Sequence, residues 1–209
     1  MYLSRLRLDL THPQARRDLA SAYEMHRTLA RVYAFDDVRP PARFLWRLEP
    51  TRDEQPPTLL VQAEGPGRWN TVARLAGYAL SVEADKRVDS EALVSQGRHY
   101  RFRLLANATV TREGKRFGLC GYDALRTWIE RQAGLHGFGL LGVDIDPQPR
   151  RMLARKGGHS IVLDCAKFEG LMRCDDAPAL RKALLAGIGH GKAFGLGLLS
   201  IAPMATQLR

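Results

Sequence analysis

The sequence has few cysteines and no long hydrophobic run. Its three cysteines, Cys120, Cys165 and Cys174, are odd in number and form no C-x-x-C pair, which argues against a disulfide framework or a zinc knuckle. No apolar stretch approaches the roughly 20 residues of a membrane-spanning helix. No cationic and apolar signal segment opens the chain. We therefore expect a cytoplasmic protein without a membrane partner.

Acidic residues are too few to balance the basic ones. The chain has 32 Lys and Arg against 22 Asp and Glu, a formal net charge of +10. Residues 96–209 carry most of the excess, with 18 basic and 9 acidic side chains. This half favours a polyanionic partner, with an anionic membrane surface as the competing interpretation. At 209 residues and 45% hydrophobic composition, the chain can bury one large core or two smaller ones.

Glycine is concentrated in residues 187–199, Gly-Ile-Gly-His-Gly-Lys-Ala-Phe-Gly-Leu-Gly-Leu-Leu. Such a stretch can turn backbone N–H groups toward an anion, which predicts phosphate contacts at Gly189, Gly191 and Lys192. It is not a Walker loop, because Ala193 follows Lys192 where Ser or Thr is required. It is not a dinucleotide fingerprint either, because it follows a helix and opens a strand. The alternative is that these glycines serve only turns and close packing.

The N-terminal half shows the element order of a ferredoxin-like unit. Leu6, Leu8 and Leu10 alternate with charged residues as in a strand, and residues 11–20 are interpreted as a short basic turn. Ser21-Ala-Tyr-Glu24 is a capping box that predicts a helix starting at Ala22. Further elements are expected at residues 44–48, 58–64, 69–75 and 78–82. This βαββαβ order predicts a domain over residues 1–90, with a linker in the polar tract 85–97.

The same order begins again in a second predicted domain, residues 98–209. Tyr100, Phe102 and Leu104 alternate with arginines as in a strand. Further elements are expected at residues 122–133, 140–145, in a helix opened by Pro178, and at 196–202. Two glycines at 157 and 158 separate a basic arm from an apolar one and predict a hairpin with cations on its exposed face. The predicted fold is α+β, with two tandem ferredoxin-like (RRM-like) domains.

The helix that starts at Ala22 carries the candidate catalytic residues. At about 100° per residue its apolar stripe faces the core, whereas His26 and Tyr23 fall on another flank. Histidine titrates near neutrality and can transfer protons, and Tyr23 lies on the same side, three residues away. Arg27 and Arg31 can offset phosphate charge. This set suits RNA cleavage by the substrate's own 2′-OH; the alternative for His26 is an ordinary surface histidine.

Two further clusters are candidates for metal and RNA binding. Asp144 and Asp146 would share a strand face, but no third ligand occurs at a recognisable spacing, so we expect a solvated strand edge and no metal or cofactor. The basic arm of the predicted hairpin has the charge needed to follow the phosphates of an RNA stem, unless it is merely solvated. The residues predicted to contact RNA there are Arg150, Arg151, Arg155 and Lys156.

Four stretches, in this order along nearly the whole chain, resemble one family. They are Tyr23-Glu-Met-His-Arg-Thr-Leu29, Leu45-Trp-Arg-Leu-Glu-Pro50, Arg101-Phe-Arg-Leu104, and the glycine stretch running into Leu-Leu-Ser-Ile-Ala-Pro203. Together they resemble CasE, the CRISPR precursor-RNA endoribonuclease subunit of the type I-E Cascade complex.

The resemblance implies a function and a set of site residues. It implies metal-independent cleavage of the CRISPR repeat stem-loop and retention of the product hairpin beside other Cascade subunits. It places Tyr23 and His26 at the scissile phosphate and puts Arg31 where the family has a lysine. Arginine keeps the charge but stays ionised, which argues against proton donation by this residue. The competing interpretations are a non-catalytic RNA-binding scaffold and a small nucleotide-binding enzyme.

Overall fold

The computed structural model describes residues 1–36, 38–50, 55–146, 150–156 and 159–204, with only the backbone at residues 150, 151, 153–156, 159 and 160. The chain divides into two compact units. The first comprises Met1–Val88, Ala154–Ile161 and Lys192–Gly195, and the second Asp89–Leu153, Val162–Gly191 and Leu196–Arg209. Among the described helices, none has the length and apolar composition needed to cross a membrane.

The first unit has the predicted strand, helix and strand order with one added helix. Its elements are β1 (Tyr2–Leu8), α1 (Pro13–Ala20), α2 (Ala22–Tyr33), β2 (Phe44–Leu48), β3 (Thr58–Ala63), α3 (Asn70–Ala73) and β4 (Ala79–Arg87). The sheet is antiparallel with strand order β2-β3-β1-β4. This is the ferredoxin-like arrangement, in which the first and third strands pair at the centre.

The interpretation of the segment before α2 as a turn is wrong, because it contains α1. The helix has few apolar residues, and polar contacts hold it in place. The buried carboxylate of Asp18 accepts hydrogen bonds from the Tyr78 hydroxyl at 2.9 Å and from the Gln14 amide at 3.0 Å. Gln14 also donates to the Thr28 hydroxyl on α2 at 3.1 Å. Because these contacts replace an apolar stripe, no helical periodicity shows in this part of the sequence.

Helix α2 begins at Ala22, as predicted. The Ser21 hydroxyl accepts a hydrogen bond from the Glu24 N–H at 3.4 Å. The second bond of a capping box, from the Ser21 N–H to the Glu24 carboxylate, is not formed between these described residues. The Ser21 N–H donates to the Asp18 carbonyl instead, and the Glu24 carboxylate accepts from Arg27. The predicted apolar stripe is confirmed by the buried side chains of Met25, Leu29 and Val32.

The second unit repeats the ferredoxin-like order with insertions. Its elements are α4 (Ser90–Leu93), β5 (His99–Asn107), β6 (Thr109–Arg112), β7 (Lys115–Gly118), α5 (Tyr122–Leu135), β8 (Phe138–Ile145), β9 (Arg150–Lys156), β10 (His159–Cys174), α6 (Ala177–Ala186) and β11 (Leu199–Pro203), except that the parts of β9 and β10 within Ala154–Ile161 belong to the first unit. The main sheet has the order β11-β5-β10-β8. The predicted alternation is confirmed, since Tyr100, Phe102 and Leu104 of β5 are buried.

Two segments contain helices or strands that the sequence did not predict. A separate hairpin of β6 and β7 precedes α5, and its turn residues Glu113 and Gly114 have φ values of 49° and 73°. The polar tract 85–97, which was predicted to be a linker, contains the end of β4 and all of α4. The basic arm does form a strand, β9, which pairs with β10. The turn predicted at Gly157 and Gly158 lies outside the described residues.

The glycine stretch is held by internal hydrogen bonds and close contacts. In the second unit the N–H groups of Gly187, Ile188 and Gly197 donate to carbonyl oxygens of the protein. In the first unit Lys192–Phe194 forms a 3₁₀ turn, after which Gly195 adopts a φ of 80°. A Cβ atom at position 195 would lie only 2.7 Å from the Trp46 ring. Glycine is therefore required at 195 both by the backbone conformation and by the approach of Trp46.

We expect Gly195→Ala to lower the free energy of unfolding by about 1–3 kcal/mol, because the added methyl meets the Trp46 ring and strains a left-handed backbone. Gly65→Ala is the matched control. A Cβ atom there would meet no atom within 4 Å, and its φ is not in the left-handed range. Its effect should stay within about 0.5 kcal/mol. Equal effects of the two substitutions in chemical denaturation would contradict this account.

Candidate active site

A cleft of about 220 Å³ lies beside α2 in the first unit. Its lining combines His26 from α2, residues 41–45 at the start of β2, and Lys192 with Ala193 from the 3₁₀ turn. His26 and Lys192 were identified from two separate sequence motifs. The fold of the first unit brings them into the same cleft.

The His26 ring has a defined orientation in this cleft. It is half-buried and stacks on Phe44, with ring centroids 4.9 Å apart and an interplanar angle of 22°. Phe44 stacks in turn on Tyr33 at 5.0 Å and 18°. The Nδ1 atom of His26 is shielded from solvent. The histidine is thus part of an aromatic stack, which an ordinary surface histidine would not be.

Two cations line the same cleft. Lys192 is half-buried beside Arg43, and its burial together with the charge of Arg43 lowers the pKa of Lys192. In the part of the chain that the structure describes, no carboxylate pairs with Lys192. The cleft therefore combines a group able to transfer protons with positive charge, a combination suited to an anionic substrate.

The other predicted residues of α2 lie outside the lining of this cleft. Tyr23 is half-buried, and Arg31 is exposed in the last turn of the helix. Arg27 is exposed and donates hydrogen bonds to both carboxylate oxygens of Glu24, at 2.9 and 3.1 Å. Of the candidate residues on α2, His26 is the one that the structure places in the cleft.

Packing explains the presence of glycine at two further positions that were predicted to contact RNA. Gly189 and Gly191 belong to the second unit and have φ values of 80° and 83°. A Cβ atom on Gly189 would lie 3.4 Å from the Trp128 ring, and one on Gly191 would lie 2.9 Å from Leu196. Turn geometry and close packing thus account for these glycines, and their contact with phosphate stays a prediction.

The remaining predicted sites concern metal and stem binding. Asp144 is exposed on β8 and Asp146 follows that strand. No group of three potential metal-binding side chains occurs among the residues that the structure describes. The basic arm forms β9, but its predicted RNA-binding side chains lie outside the described part of the chain; they are those of Arg150, Arg151, Arg155 and Lys156.

Sequence reasoning missed Arg43 and the association of Lys192 with His26. Arg43 precedes a strand in which arginine alternates with apolar residues, so it has the pattern of a solvated strand position. The three residues lie far apart in the sequence and share no motif. No local signal could have grouped them, because folding of the first unit creates their proximity.

Comparisons with known proteins agree over nearly the whole chain. Residues 1–203 match the model of a family described as CRISPR associated protein. The CRISPR-associated endoribonuclease Cse3 of Thermus thermophilus is 34% identical, over 97% of this chain and 100% of that protein. The CRISPR system Cascade subunit CasE of Escherichia coli is 36% identical over 78 residues, which are 37% of this chain and 38% of CasE.

A solved structure shows the same fold. The structure of Thermus thermophilus Cse3 bound to an RNA representing a pre-cleavage complex matches with a TM-score of 0.84 and 36% identity, over 97% of this chain and 98% of that one. This agreement confirms the predicted pair of ferredoxin-like folds, and the family match confirms the resemblance that the four sequence stretches carry. The chain belongs to the family of CRISPR-associated proteins that includes Cse3 and CasE.

Proposed function

We propose that this chain is a metal-independent endoribonuclease that cleaves CRISPR precursor RNA at the repeat stem-loop and keeps the product as a subunit of Cascade. The observation that carries the proposal is the cleft in which His26, stacked on Phe44, lies with Lys192 and Arg43. Cse3, named as an endoribonuclease, matches this chain over its full length, which supports the same chemistry here. A transcript as substrate supports a cytoplasmic location.

The proposed reaction is an internal transfer of the phosphoryl group. The 2′ oxygen of the nucleotide before the cut forms a bond to phosphorus, and the bond from phosphorus to the 5′ oxygen breaks. The products are a 2′,3′-cyclic phosphate and a 5′-OH. One proton leaves the 2′-OH and one reaches the 5′ oxygen. His26 carries out one of these two transfers, as general base or as general acid. Tyr23, on the same helix, is the second candidate for proton donation or for orienting the phosphate.

Arg31 is proposed as the third catalytic residue, and the remaining predicted residues are proposed to bind RNA. Arg31 contributes charge without proton transfer, because a guanidinium stays ionised at neutral pH. Arg27 has to exchange its Glu24 partner for a phosphate. Lys192 and the backbone N–H groups of Gly189 and Gly191 are proposed to contact RNA phosphates near the cut. The proposed stem contacts come from β9, through Arg150, Arg151, Arg155 and Lys156.

The first prediction concerns the nucleophile. In EDTA the protein should cleave its cognate repeat RNA, and a single 2′-deoxy substitution just upstream of the cut should abolish cleavage without weakening binding. Single-turnover assays with both RNAs, together with binding measurements, test this. Cleavage of the deoxy substrate would refute the mechanism, and binding without cleavage of the all-ribose RNA would indicate a scaffold.

The second prediction separates binding from cleavage at His26. His26→Ala should lower the single-turnover rate by roughly 10²–10⁴-fold, because a proton-transfer group is lost. Since the ring stacks on Phe44, the variant should also lose about 0.5–1.5 kcal/mol of stability. RNA affinity should change little.

His99→Ala is the matched control for this experiment. His99 is exposed on β5 in the second unit, and its replacement should leave cleavage and stability near parental values. If His26→Ala binds the hairpin and still cuts it at nearly the parental rate, His26 is not a catalytic residue.

The third prediction concerns the stem. Replacing Arg151, Arg155 and Lys156 with alanine should weaken stem-loop binding and flatten the slope of log K against log salt by about one unit per lost phosphate contact. A triple replacement of the exposed Arg74, Lys86 and Arg87 removes the same charge elsewhere and should change the slope much less. Equal slopes for the two triple variants would show that β9 has no specific role in binding.

A further inference from the structure

The cleft beside α2 contains a lysine from a distant part of the chain. We propose that Lys192 is a catalytic residue whose ammonium group donates hydrogen bonds to a nonbridging oxygen of the scissile phosphate, with Arg43 binding the same phosphate group. The inference rests on the proposed function and adds to it the groups that stabilise the transition state. Lys192 gives up no proton in this role.

The backbone holds both cations at the cleft. Lys192 begins the 3₁₀ turn, the Gly195 N–H donates to the Lys192 carbonyl at 3.2 Å, and Gly195 is seated against Trp46. Next to Arg43, the Ala42 N–H donates to the carbonyl of Tyr33 at the end of α2, at 2.9 Å. The backbone from which each of the two side chains extends is therefore held at the cleft by a hydrogen bond at or next to that residue. Such preorganisation lowers the reorganisation that stabilising a transition state requires.

The environment of Lys192 disfavours its charged form and would be relieved by an anion in the cleft. Holding Lys192 half-buried beside Arg43 costs free energy, which is why the pKa of Lys192 is lowered. Within the described residues no carboxylate pairs with Lys192 to offset this cost. A phosphate group in the cleft would offset it and restore the preference for the charged ammonium.

In the proposed reaction, Lys192 and Arg43 would accelerate the chemical step in addition to binding the substrate. As the 2′ oxygen adds to phosphorus, negative charge builds up on the nonbridging oxygens before the 5′ oxygen leaves. Cations at the cleft therefore bind the phosphorane more tightly than the starting phosphodiester, and this difference accelerates the chemical step. Arg31, the cation expected from the resemblance, is exposed and does not line the cleft, whereas Lys192 does.

The test uses repeat RNA carrying a single phosphorothioate of defined configuration, Rp or Sp, at the scissile position. The full-length protein is assayed in EDTA under single-turnover conditions at saturating protein. Sulfur accepts hydrogen bonds from an ammonium poorly, so the parent should cleave one diastereomer clearly more slowly than the all-oxygen RNA. Lys192→Met should lower the rate on all-oxygen RNA by roughly 10²–10³-fold, the usual effect of losing one such donor. RNA affinity should fall much less.

The thio effect distinguishes a contact with phosphate from a structural role. In Lys192→Met the difference between the two diastereomers should shrink clearly, because only the Arg43 contact remains, and Lys192→Arg should recover part of the rate. Lys182→Met is the matched control, because Lys182 is exposed on α6 in the second unit. It should keep both the parental rate and the parental thio effect.

Several outcomes would overturn the inference while leaving the proposed function in place. One is a Lys192→Met protein that cuts within a few fold of the parent and keeps its thio effect, and another is a loss of affinity with no loss of rate at saturation. Should Lys192→Met fail to fold, Lys192→Arg and the parent test the inference, since an unchanged rate and thio effect in Lys192→Arg, or equal cleavage of both diastereomers and of the oxygen substrate by the parent, would exclude such a contact. A parent protein that binds the repeat RNA but cuts none of these substrates would refute the proposed function itself.

Discussion

The burial of one side of α2 is the constraint on which the candidate site depends. Met25, Leu29 and Val32 pack into the core of the first unit and thereby set the rotation of the helix about its axis. Because successive residues of a helix differ by about 100°, this rotation turns His26 to the margin of the core, onto Phe44. The continuous stack of Tyr33, Phe44 and His26 links core packing directly to the orientation of the candidate catalytic ring. A core substitution that rotated α2 would therefore move the candidate catalytic ring.

The glycine stretch contributes to the site chiefly through the backbone path that it allows. Several of its N–H groups are already bound to carbonyl oxygens of the protein, so they are not available for a phosphate. The absence of a side chain at Gly195 allows the turn to lie against Trp46, and Lys192 is brought to the cleft as a result. The glycines thus determine the path of the backbone, whereas the lysine supplies positive charge.

The pairing of charges differs between the surface of α2 and the cleft. Arg27 on the exposed side is bound by Glu24, which is ordinary for a solvated helix. Lys192 instead lies beside Arg43, an arrangement of like charges that lowers stability without a ligand. Active sites commonly sacrifice stability for function, and a cation such as Lys192, with no carboxylate partner among the described residues, can stabilise an anion better than one already neutralised within the protein.

Local patterns in the sequence by themselves determined the two βαββαβ units, the start of α2 at Ala22 and the off-core position of His26, because periodicity and capping act between near neighbours. They did not reveal α1, which polar contacts of Asp18 and Gln14 hold in place, or the β6 and β7 hairpin. Only the tertiary structure decided that Lys192 and Arg43 share a cleft with His26 and that Tyr23 does not line it. The physical reason is that these contacts join segments far apart in the chain, and their energies depend on the packing of the whole first unit, which leaves no periodic trace in the sequence.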